Sequence, residues 1–251
     1  MMAFVIAGRE FRNLFLSPLA WTMLAVLQFI LGFMFLAQLD YYLMLQPRLA
    51  GLQDAPGVTD AIVAPLFGNA SIILMLVTPL LTMRLVSEER RNRTLSLLFT
   101  APVSMAEIII GKYLGVLSFL FVVIGMLALM PLSLYLGGTL DSGKILANLL
   151  ALTLLVSAYA AIGLYMSTLS NHPTVAGIST FGAILVLWIL DWSTQSGEKG
   201  TGLLQYLSML RHYEGLLRGL VSTTDLCYFL LFIALFLVLS IQRLDNDRLQ
   251  S

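Results

Sequence analysis

Six long apolar stretches restrict this chain to an integral membrane fold. A transmembrane helix needs about 20 predominantly apolar residues, and six segments reach or approach that length. Of the 251 residues, 59% are hydrophobic and only 11% are charged, whereas soluble globular proteins carry about 25% charged residues. The sequence therefore predicts one all-α membrane domain, residues 1–251, with six transmembrane helices. The predicted spans are 19–39, 63–86, 108–136, 145–168, 174–192 and 226–242.

Ahead of the first span, residues 2–17 predict an amphipathic helix that lies on the membrane surface. Apolar side chains recur at helical spacing on one face, and the charged side chains Arg9, Glu10 and Arg12 fall away from it. Pro18 then turns the chain into the bilayer. No cleavable signal peptide is predicted, because the apolar stretch is too long and lacks a small-residue cleavage site. The apolar face consists of Phe4, Ala7, Phe11, Leu14 and Phe15.

Residues 84–112 form the one strongly charged segment of the chain, between the second and third predicted spans. Ser87 is expected to cap a helix over 88–99, because a serine oxygen at this position can accept a hydrogen bond from a free backbone N–H. The carboxylates of Glu88 and Glu89 in the first turn favour the positive end of the helix dipole. The segment therefore predicts a short helix outside the membrane.

The end of this helix and the start of the next span also have local signals. Leu95 and Leu98 share one face at helical spacing, and Pro102 is expected to end the helix. Ser104 and Glu107 match the capping-box pattern S-x-x-E. A new helix is therefore predicted to begin after Ser104 and to run directly into the third span.

The distribution of Lys and Arg predicts the orientation. Six spans place both termini on the same side of the membrane, together with the 84–112 loop. These segments carry the larger share of the 14 Lys and Arg residues, and cytoplasmic loops are enriched in them. Both termini and the charged loop are therefore expected in the cytoplasm. Residues 193–224, before the last span, are then external and predict a short interfacial or re-entrant helix.

Several classes of function lack support. The chain has no G-x-x-x-x-G-K-[ST] motif for nucleotide phosphates, and its net charge of zero does not favour nucleic acid. The single cysteine, Cys227, lies in an apolar run and is expected to be a buried thiol. His172 and His212 fall on opposite sides of the membrane and are expected to be ordinary surface residues. The sequence predicts no catalytic residue, metal site or directly bound cofactor.

The string SEERRNRTLSLLFTAPVS, residues 87–104, resembles the loop between the second and third spans of type-2 ABC exporter permeases. The resemblance implies that 87–103 is a coupling helix, which docks in a cleft of a cytoplasmic ATPase subunit. Arg91, Arg93 and Ser96 stand where the family often has Glu, Gly and Glu, so the charge of the docking partner is expected to differ. The implied ATPase-coupling residues are Glu88, Glu89, Arg90, Arg91, Arg93, Thr94, Leu95, Leu98 and Pro102.

Two further strings resemble the gliding-motility-associated branch of these permeases. AGREFRNLFLSPLAW resembles its opening interfacial helix, which implies a role for Arg9, Glu10, Phe11 and Arg12. Whether that helix only anchors the chain or also contacts the ATPase stays open. The pattern H-x-E-x-x-x-R-G before the last span implies an external gate. An amphipathic cover over the span ends is the alternative reading of that helix. The residues of the implied gate are His212, Glu214 and Arg218.

The resemblance implies a permease subunit of an ATP-driven transporter in the bacterial inner membrane, surrounded by membrane lipid. ATP and Mg²⁺ would bind to a separate cytoplasmic ABC ATPase subunit, and a second permease chain, identical or different, would complete the substrate path. An accessory extracytoplasmic subunit is compatible with this assignment. The alternative is a scaffold that anchors a soluble partner without transport. A third class, an intramembrane enzyme, would require activity without a partner and a role for His172 or His212.

Overall fold

The computed structural model describes residues 2–49, 57–95, 103–136, 140–195 and 208–250. Within these ranges the secondary structure is helical, with no strand. The α-helices are α1 (Met2–Leu16), α2 (Pro18–Leu49), α3 (Ala64–Thr82), α4 (Ser87–Arg91), α5 (Met105–Ser133), α6 (Ser142–Leu169), α7 (Pro173–Gln195), α8 (Met209–Leu217) and α9 (Thr223–Gln250). A π-helical turn, Thr59–Val63, precedes α3, and a 3₁₀ turn, Leu134–Leu136, follows α5.

Five helical segments of the described chain are long and apolar enough to cross a membrane: Pro18–Pro47, Thr59–Arg91, Met105–Leu136, Ser142–Leu169 and Thr223–Leu249. They coincide with five of the six predicted spans. The predicted fifth span, 174–192, coincides with α7, whose apolar stretch Pro173–Ile189 is shorter. The protein is therefore a multi-pass, all-helical membrane protein.

Helix α6 is the centre of the bundle, and α2 and α9 are at its periphery. In the most apolar 18-residue stretch of each helix, 72% of residues are buried in α6, but only 28% in α2 and 17% in α9. Helices α3, α5, α7, α8 and α9 all pack against α6. Large parts of α2 and α9 therefore face outwards, towards lipid or another protein.

Glycines allow two close helix crossings. A Cβ atom on Gly163 of α6 would lie 2.0 Å from Thr82 Oγ1 of α3, so the absence of a side chain at Gly163 makes room for Thr82 and lets the two helices pack closely. Gly111 and Gly115 of α5 face α1, where a Cβ atom would lie 2.7 Å from Ile6 Cβ or 2.6 Å from Glu10 Cβ. The G-x-x-x-G spacing on α5 thus forms the seat for the N-terminal helix.

The boundaries of several elements differ from the sequence predictions. Helix α2 continues to Leu49, past the predicted end of the first span at residue 39. Helix α9 continues to Gln250, past the predicted end at residue 242. Both extensions carry polar residues, and hydropathy detects only the part of a helix inside the membrane. Cys227, which was expected to be buried, is exposed on the outward face of α9.

The predicted capping box at the start of the third span is confirmed. Ser104 is the N-cap of α5, and its Oγ accepts a hydrogen bond from the Glu107 backbone N–H at 3.1 Å. The Glu107 carboxylate in return accepts from the Ser104 N–H at 3.4 Å. Because both bonds are local, the sequence was sufficient to predict them.

Candidate functional site

The charged segment after α3 is attached to the bundle by a hydroxyl from α6. Ser167 Oγ accepts hydrogen bonds from the backbone N–H groups of Val86, at 3.0 Å, and Ser87, at 3.1 Å. It donates to the Met83 carbonyl at 3.2 Å. The prediction that Ser87 caps α4 is therefore wrong. The Ser87 hydroxyl instead donates to the carbonyl of Met83 within the preceding turn, and a distant serine replaces it as the acceptor.

Lys112 joins three helices at one buried point. Its side chain on α5 is only 3% exposed, and its Nζ donates to Glu10 of α1 at 2.9 Å and to Glu89 of α4 at 2.7 Å. A buried ammonium needs such partners, because removing a charge from water without compensation is costly. We call Lys112, Glu10 and Glu89 the Lys112 triad. It fixes α1 and α4 to the start of α5.

Arg90 makes a second connection, to the C-terminal helix. Its guanidinium forms an ion pair with Asp247 near the end of α9, and lies 3.5 Å from Asn171 Oδ1 in the turn between α6 and α7. Asp247 also lies 3.6 Å from Arg243, one turn earlier on α9. The polar extension of α9 therefore reaches the charged segment, and α4 is joined directly to α9 and, through Lys112, to α1.

Other side chains of this segment remain on the surface. Glu88, Arg91, Arg93 and Thr94 are exposed, whereas Leu95 is buried. The surface of α4 made by Glu88 and Arg91 is thus available to a partner. The other side chains of α4 are bound to the bundle. Two predicted coupling residues, Leu98 and Pro102, lie outside the described residues.

The helix predicted over 88–99 ends at Arg91, which is a correction to the sequence analysis. The Thr94 N–H donates to the Glu89 carbonyl at 3.0 Å, and the Arg93 N–H to the Arg90 carbonyl at 3.2 Å. These two bonds form a Schellman motif, which ends a helix by placing one residue in the left-handed conformation. That residue is Arg93, with φ of 56°. Glycine usually occupies such a position, and the type-2 ABC exporter permeases that this segment resembles often have glycine there.

Replacing Arg93 with Gly is expected to stabilise the end of α4 by about 1 kcal/mol, because a left-handed backbone costs a residue with a Cβ atom roughly that much. Amide hydrogen exchange of α4 should therefore become slower in the detergent-solubilised chain. Asn92→Gly is the control, since Asn92 has φ of −81° and gains nothing from glycine. Faster exchange in Arg93→Gly would mean that the contact of the Arg93 side chain outweighs the backbone strain.

The N-terminal helix packs on α5 with part of its predicted apolar face, since Ala7 is buried and the centroid of the Phe15 ring lies 5.4 Å from that of Phe119 on α5. Phe4 is exposed, whereas Ile6, Ala7 and Glu10 lie against α5. Glu10 was assigned to the outward polar face, but its charge is compensated by Lys112, which the pattern of α1 alone does not indicate. Arg9 and Arg12 are exposed. The Phe11 ring packs against the Phe15 ring, with centroids 4.7 Å apart.

At the other end of the bundle, α8 is inserted among the spans. Tyr213 is buried, and its hydroxyl donates to the Phe67 carbonyl of α3 at 2.8 Å. Burial raises the pKa of this phenol, so it stays a neutral donor. Ser208 caps the helix by accepting from the Arg211 N–H. Residues 196–207 of the predicted external segment lie outside the described residues.

His212 is not an ordinary surface histidine, contrary to the sequence analysis. It is 7% exposed, its Nδ1 lies 2.6 Å from Asp225 Oδ1, and its ring stacks on Tyr228 with centroids 4.1 Å apart. Glu214 and Arg218, the other proposed gate residues, are more exposed and lie 3.8 Å apart. Glu214 is thus paired with Arg218, and His212 with Asp225. Asp225 is the partner that sequence spacing did not reveal.

A cavity of about 440 Å³ lies beside the Lys112 triad. It is lined by α1, the starts of α2 and α5, the end of α3 and the charged segment. Its described lining combines aliphatic and charged side chains. These are Ile6, Arg9, Glu10, Asn13, Leu14, Ser17, Leu19, Ala20, Leu80, Leu81, Arg84, Leu85, Glu88, Glu89, Asn92, Thr94, Val103, Ile108 and Lys112.

The whole arrangement, a helical membrane bundle with a charged segment between its second and third apolar helices, agrees with a family comparison. The model of the ABC-2 family transporter proteins matches residues 4–249. The chain belongs to this family. The match covers nearly every described helix, from α1 to α9, so the assignment applies to the complete bundle. No curated protein matches the sequence closely enough to count as a relative.

Membership of the ABC-2 family fits a membrane subunit of the permease type. Such subunits normally lack a nucleotide-binding site, and their family implies an ABC ATPase as partner in general. Among the described residues, no group of three or more His, Cys, Asp or Glu side chains is placed to hold a metal ion. The strongest local concentration of charge in this ABC-2 protein is the segment around α4.

Proposed function

We propose that this chain is the permease subunit of an ATP-driven transporter, and that α4 couples it to a separate cytoplasmic ATPase subunit. The observation that carries the proposal is that α4 has an exposed surface and is also bound to several helices of the bundle. Its exposed residues Glu88 and Arg91 are available to a partner, while Glu89, Arg90 and the backbone of Ser87 are bound to α5, α9 and α6, and Lys112 extends the connection to Glu10 of α1. A displacement of α4 would therefore be transmitted to α1, α5, α6 and α9 together.

The proposed mechanism is a lever. Closure of two ATPase subunits on ATP would push α4, and the Lys112 triad would pass that displacement to α5, while Ser167 would pass it to the central helix α6. Packed helices move as rigid bodies between discrete arrangements, so a small displacement at one end can change the packing at the other. The close contact of Gly163 with Thr82 supports this, because it couples α3 rigidly to α6.

The proposal includes six spans, with α7 as the fifth, and both termini in the cytoplasm of a bacterial inner-membrane protein. The concentration of Arg residues around α4 supports this orientation. Two permease chains, identical or different, would pair to enclose the substrate path. The outward faces of α2 and α9 offer surface for such a pair. The resemblance to the gliding-motility-associated branch and an accessory extracytoplasmic subunit remain part of the proposal.

Charge reversal at Glu88 tests the coupling interface. Glu88→Lys changes an exposed side chain that makes no ion pair within the described chain, so the bundle should stay folded. We expect co-purification of the ABC ATPase to weaken by about tenfold or more, because reversing one charge in a complementary interface costs at least about 1.4 kcal/mol. Glu89→Lys is less informative, because it also breaks the Lys112 triad.

Asp40→Lys provides the matched control for this experiment. Asp40 is also exposed, but it lies on α2 far from Pro18, towards the other end of the bundle. Its reversal should leave binding of the ATPase unchanged. Equal binding by Glu88→Lys and the wild-type chain would contradict the proposed interface. If the complex binds an ATPase, but proteoliposomes show no substrate-stimulated ATP hydrolysis, the scaffold alternative replaces the transporter.

A further inference from the structure

The cavity beside the Lys112 triad has an amphipathic lining at one end of the bundle. The starts of α2 and α5 and the end of α3 meet there, so the cavity lies where apolar helices reach the membrane boundary. Leu19, Ala20, Leu80 and Leu81 form an aliphatic wall, and charged side chains of α1 and α4 form a charged wall. Such a lining suits a molecule with an apolar chain and a polar head.

The charged wall has an unsatisfied carboxylate. The Lys112 triad contains one ammonium and two carboxylates, so it carries a net negative charge with Lys112 only 3% exposed. One oxygen of Glu89, Oε2, is buried and has no hydrogen-bond partner among the described residues. A buried carboxylate oxygen without a donor is costly. A hydrogen-bond donor that reaches Glu89 would therefore be favourable, and a cationic donor most of all, because the triad carries a net negative charge.

The rim of the cavity offers the opposite charge. Arg9 and Arg84 both line it, are exposed, and make no ion pair within the described part of the chain. Guanidinium groups bind phosphate well, because their N–H groups match its oxygens. The cavity thus combines an acceptor for an ammonium, donors for a phosphate and an aliphatic wall.

We propose that this cavity binds a phospholipid whose headgroup carries a primary ammonium, such as phosphatidylethanolamine. The ammonium donates to Glu89, the phosphate accepts from Arg9 and Arg84, and an acyl chain lies against the exposed side chains of Leu19 and Leu80. A choline headgroup fits less well, because its quaternary ammonium has no N–H donor. Choline sites are instead built from aromatic rings, and the described lining contains none.

The test compares two lipids with identical acyl chains. The purified full-length chain is reconstituted in vesicles of equal amounts of phosphatidylethanolamine and phosphatidylcholine, and the retained lipid is measured by native mass spectrometry. We expect one phosphatidylethanolamine per chain, retained about tenfold over phosphatidylcholine, since one hydrogen bond to a charged group contributes at least that factor. Glu89→Gln should reduce the ratio towards one.

A pair of substitutions on α3 separates the cavity from the general lipid surface. Leu80 and Leu76 are one turn apart and similarly exposed, 49% and 52%, but only Leu80 lines the cavity. Leu80→Trp should fill the cavity and abolish selective retention, whereas Leu76→Trp should retain the lipid like the wild-type chain. Both chains should remain folded, because neither side chain is buried.

Equal retention of the two lipids by the wild-type chain would overturn the proposal, as would unchanged retention in Leu80→Trp. Displacement of the lipid by soluble phosphoethanolamine at an equal concentration would also overturn it, because the aliphatic wall would then contribute nothing. The assay contains no ATPase, so its failure would leave the coupling proposal intact. Loss of ATPase binding in Glu88→Lys would likewise say nothing about lipid retention.

Discussion

Replacing Lys112 with Met is expected to destabilise the protein by about 3–5 kcal/mol, the usual cost of removing one partner from a buried ion pair. The methionine fills similar space, so the loss comes from the charges of Glu10 and Glu89, which would be left without a cation in a mostly buried site. The measurement is the free energy of unfolding in mixed detergent micelles. Both α1 and α4 should also become sensitive to proteolysis, because the triad holds them to α5.

Lys144→Met is the matched control for this substitution. Lys144 also forms an ion pair, with Asp60 at 2.9 Å, but its side chain is 32% exposed and water can solvate the remaining carboxylate. Its effect should be much smaller. Adding Glu10→Gln and Glu89→Gln to Lys112→Met should recover much of the lost stability, because no buried charge remains. Equal effects of the two lysine substitutions would contradict the role of the triad.

Replacing Gly163 with Ala should lower the free energy of unfolding by about 1–3 kcal/mol, because the added methyl group overpacks the crossing of α3 and α6. The same substitution should also impair coupling to the ATPase. The added Cβ would lie 2.0 Å from Thr82 Oγ1 and 2.6 Å from Thr82 Cβ. Thr82 is fully buried, and its hydroxyl already donates to the Thr78 carbonyl at 2.9 Å. The short side chain cannot move aside, so the helix backbones must separate. Thermal unfolding and ATPase stimulation of the reconstituted complex measure the two effects.

Gly125→Ala distinguishes this packing effect from the general effect of removing a glycine. Gly125 lies inside α5, and a Cβ atom there would meet nothing within 4 Å. Alanine should therefore stabilise the helix by about 0.5–1 kcal/mol, because glycine loses more backbone entropy on folding. If Gly163→Ala also stabilised the protein, α3 and α6 would have room to separate, and the rigid connection in the lever mechanism would be wrong.

The elements that the sequence predicted correctly have causes that are local in the chain. Long apolar stretches predict membrane helices because each residue contributes its own transfer free energy. The capping box of α5 depends on two residues three positions apart. Residues 174–192 were predicted as a span, but the apolar stretch of α7, Pro173–Ile189, is shorter than the five candidate spans. Polar helix extensions, as in α9, carry no hydropathy signal at all.

The sequence also gave partial information about the charged segment. It indicated where the segment lies and which residues are charged, but not which of them are bound to the bundle. Arg93 illustrates the limit, because its left-handed conformation ends α4 at a position without the usual glycine signal. Resemblance to the type-2 permeases did mark this position as unusual. The presence of Arg93 where the family often has glycine thus marked the position of the left-handed backbone conformation.

By itself, the sequence determined the all-helical membrane class, the positions of the long apolar helices and the charged segment between two of them. Only the tertiary structure decided what holds that segment in place. Lys112 and Glu89 are 23 residues apart, Ser87 and Ser167 are 80 apart, and Arg90 and Asp247 are 157 apart. Periodicity and capping patterns act over one or two helical turns, whereas these partners meet only when distant helices pack together. The same packing buries His212 against Asp225, because the energetics of a charged or polar side chain depend on the neighbours that the fold provides.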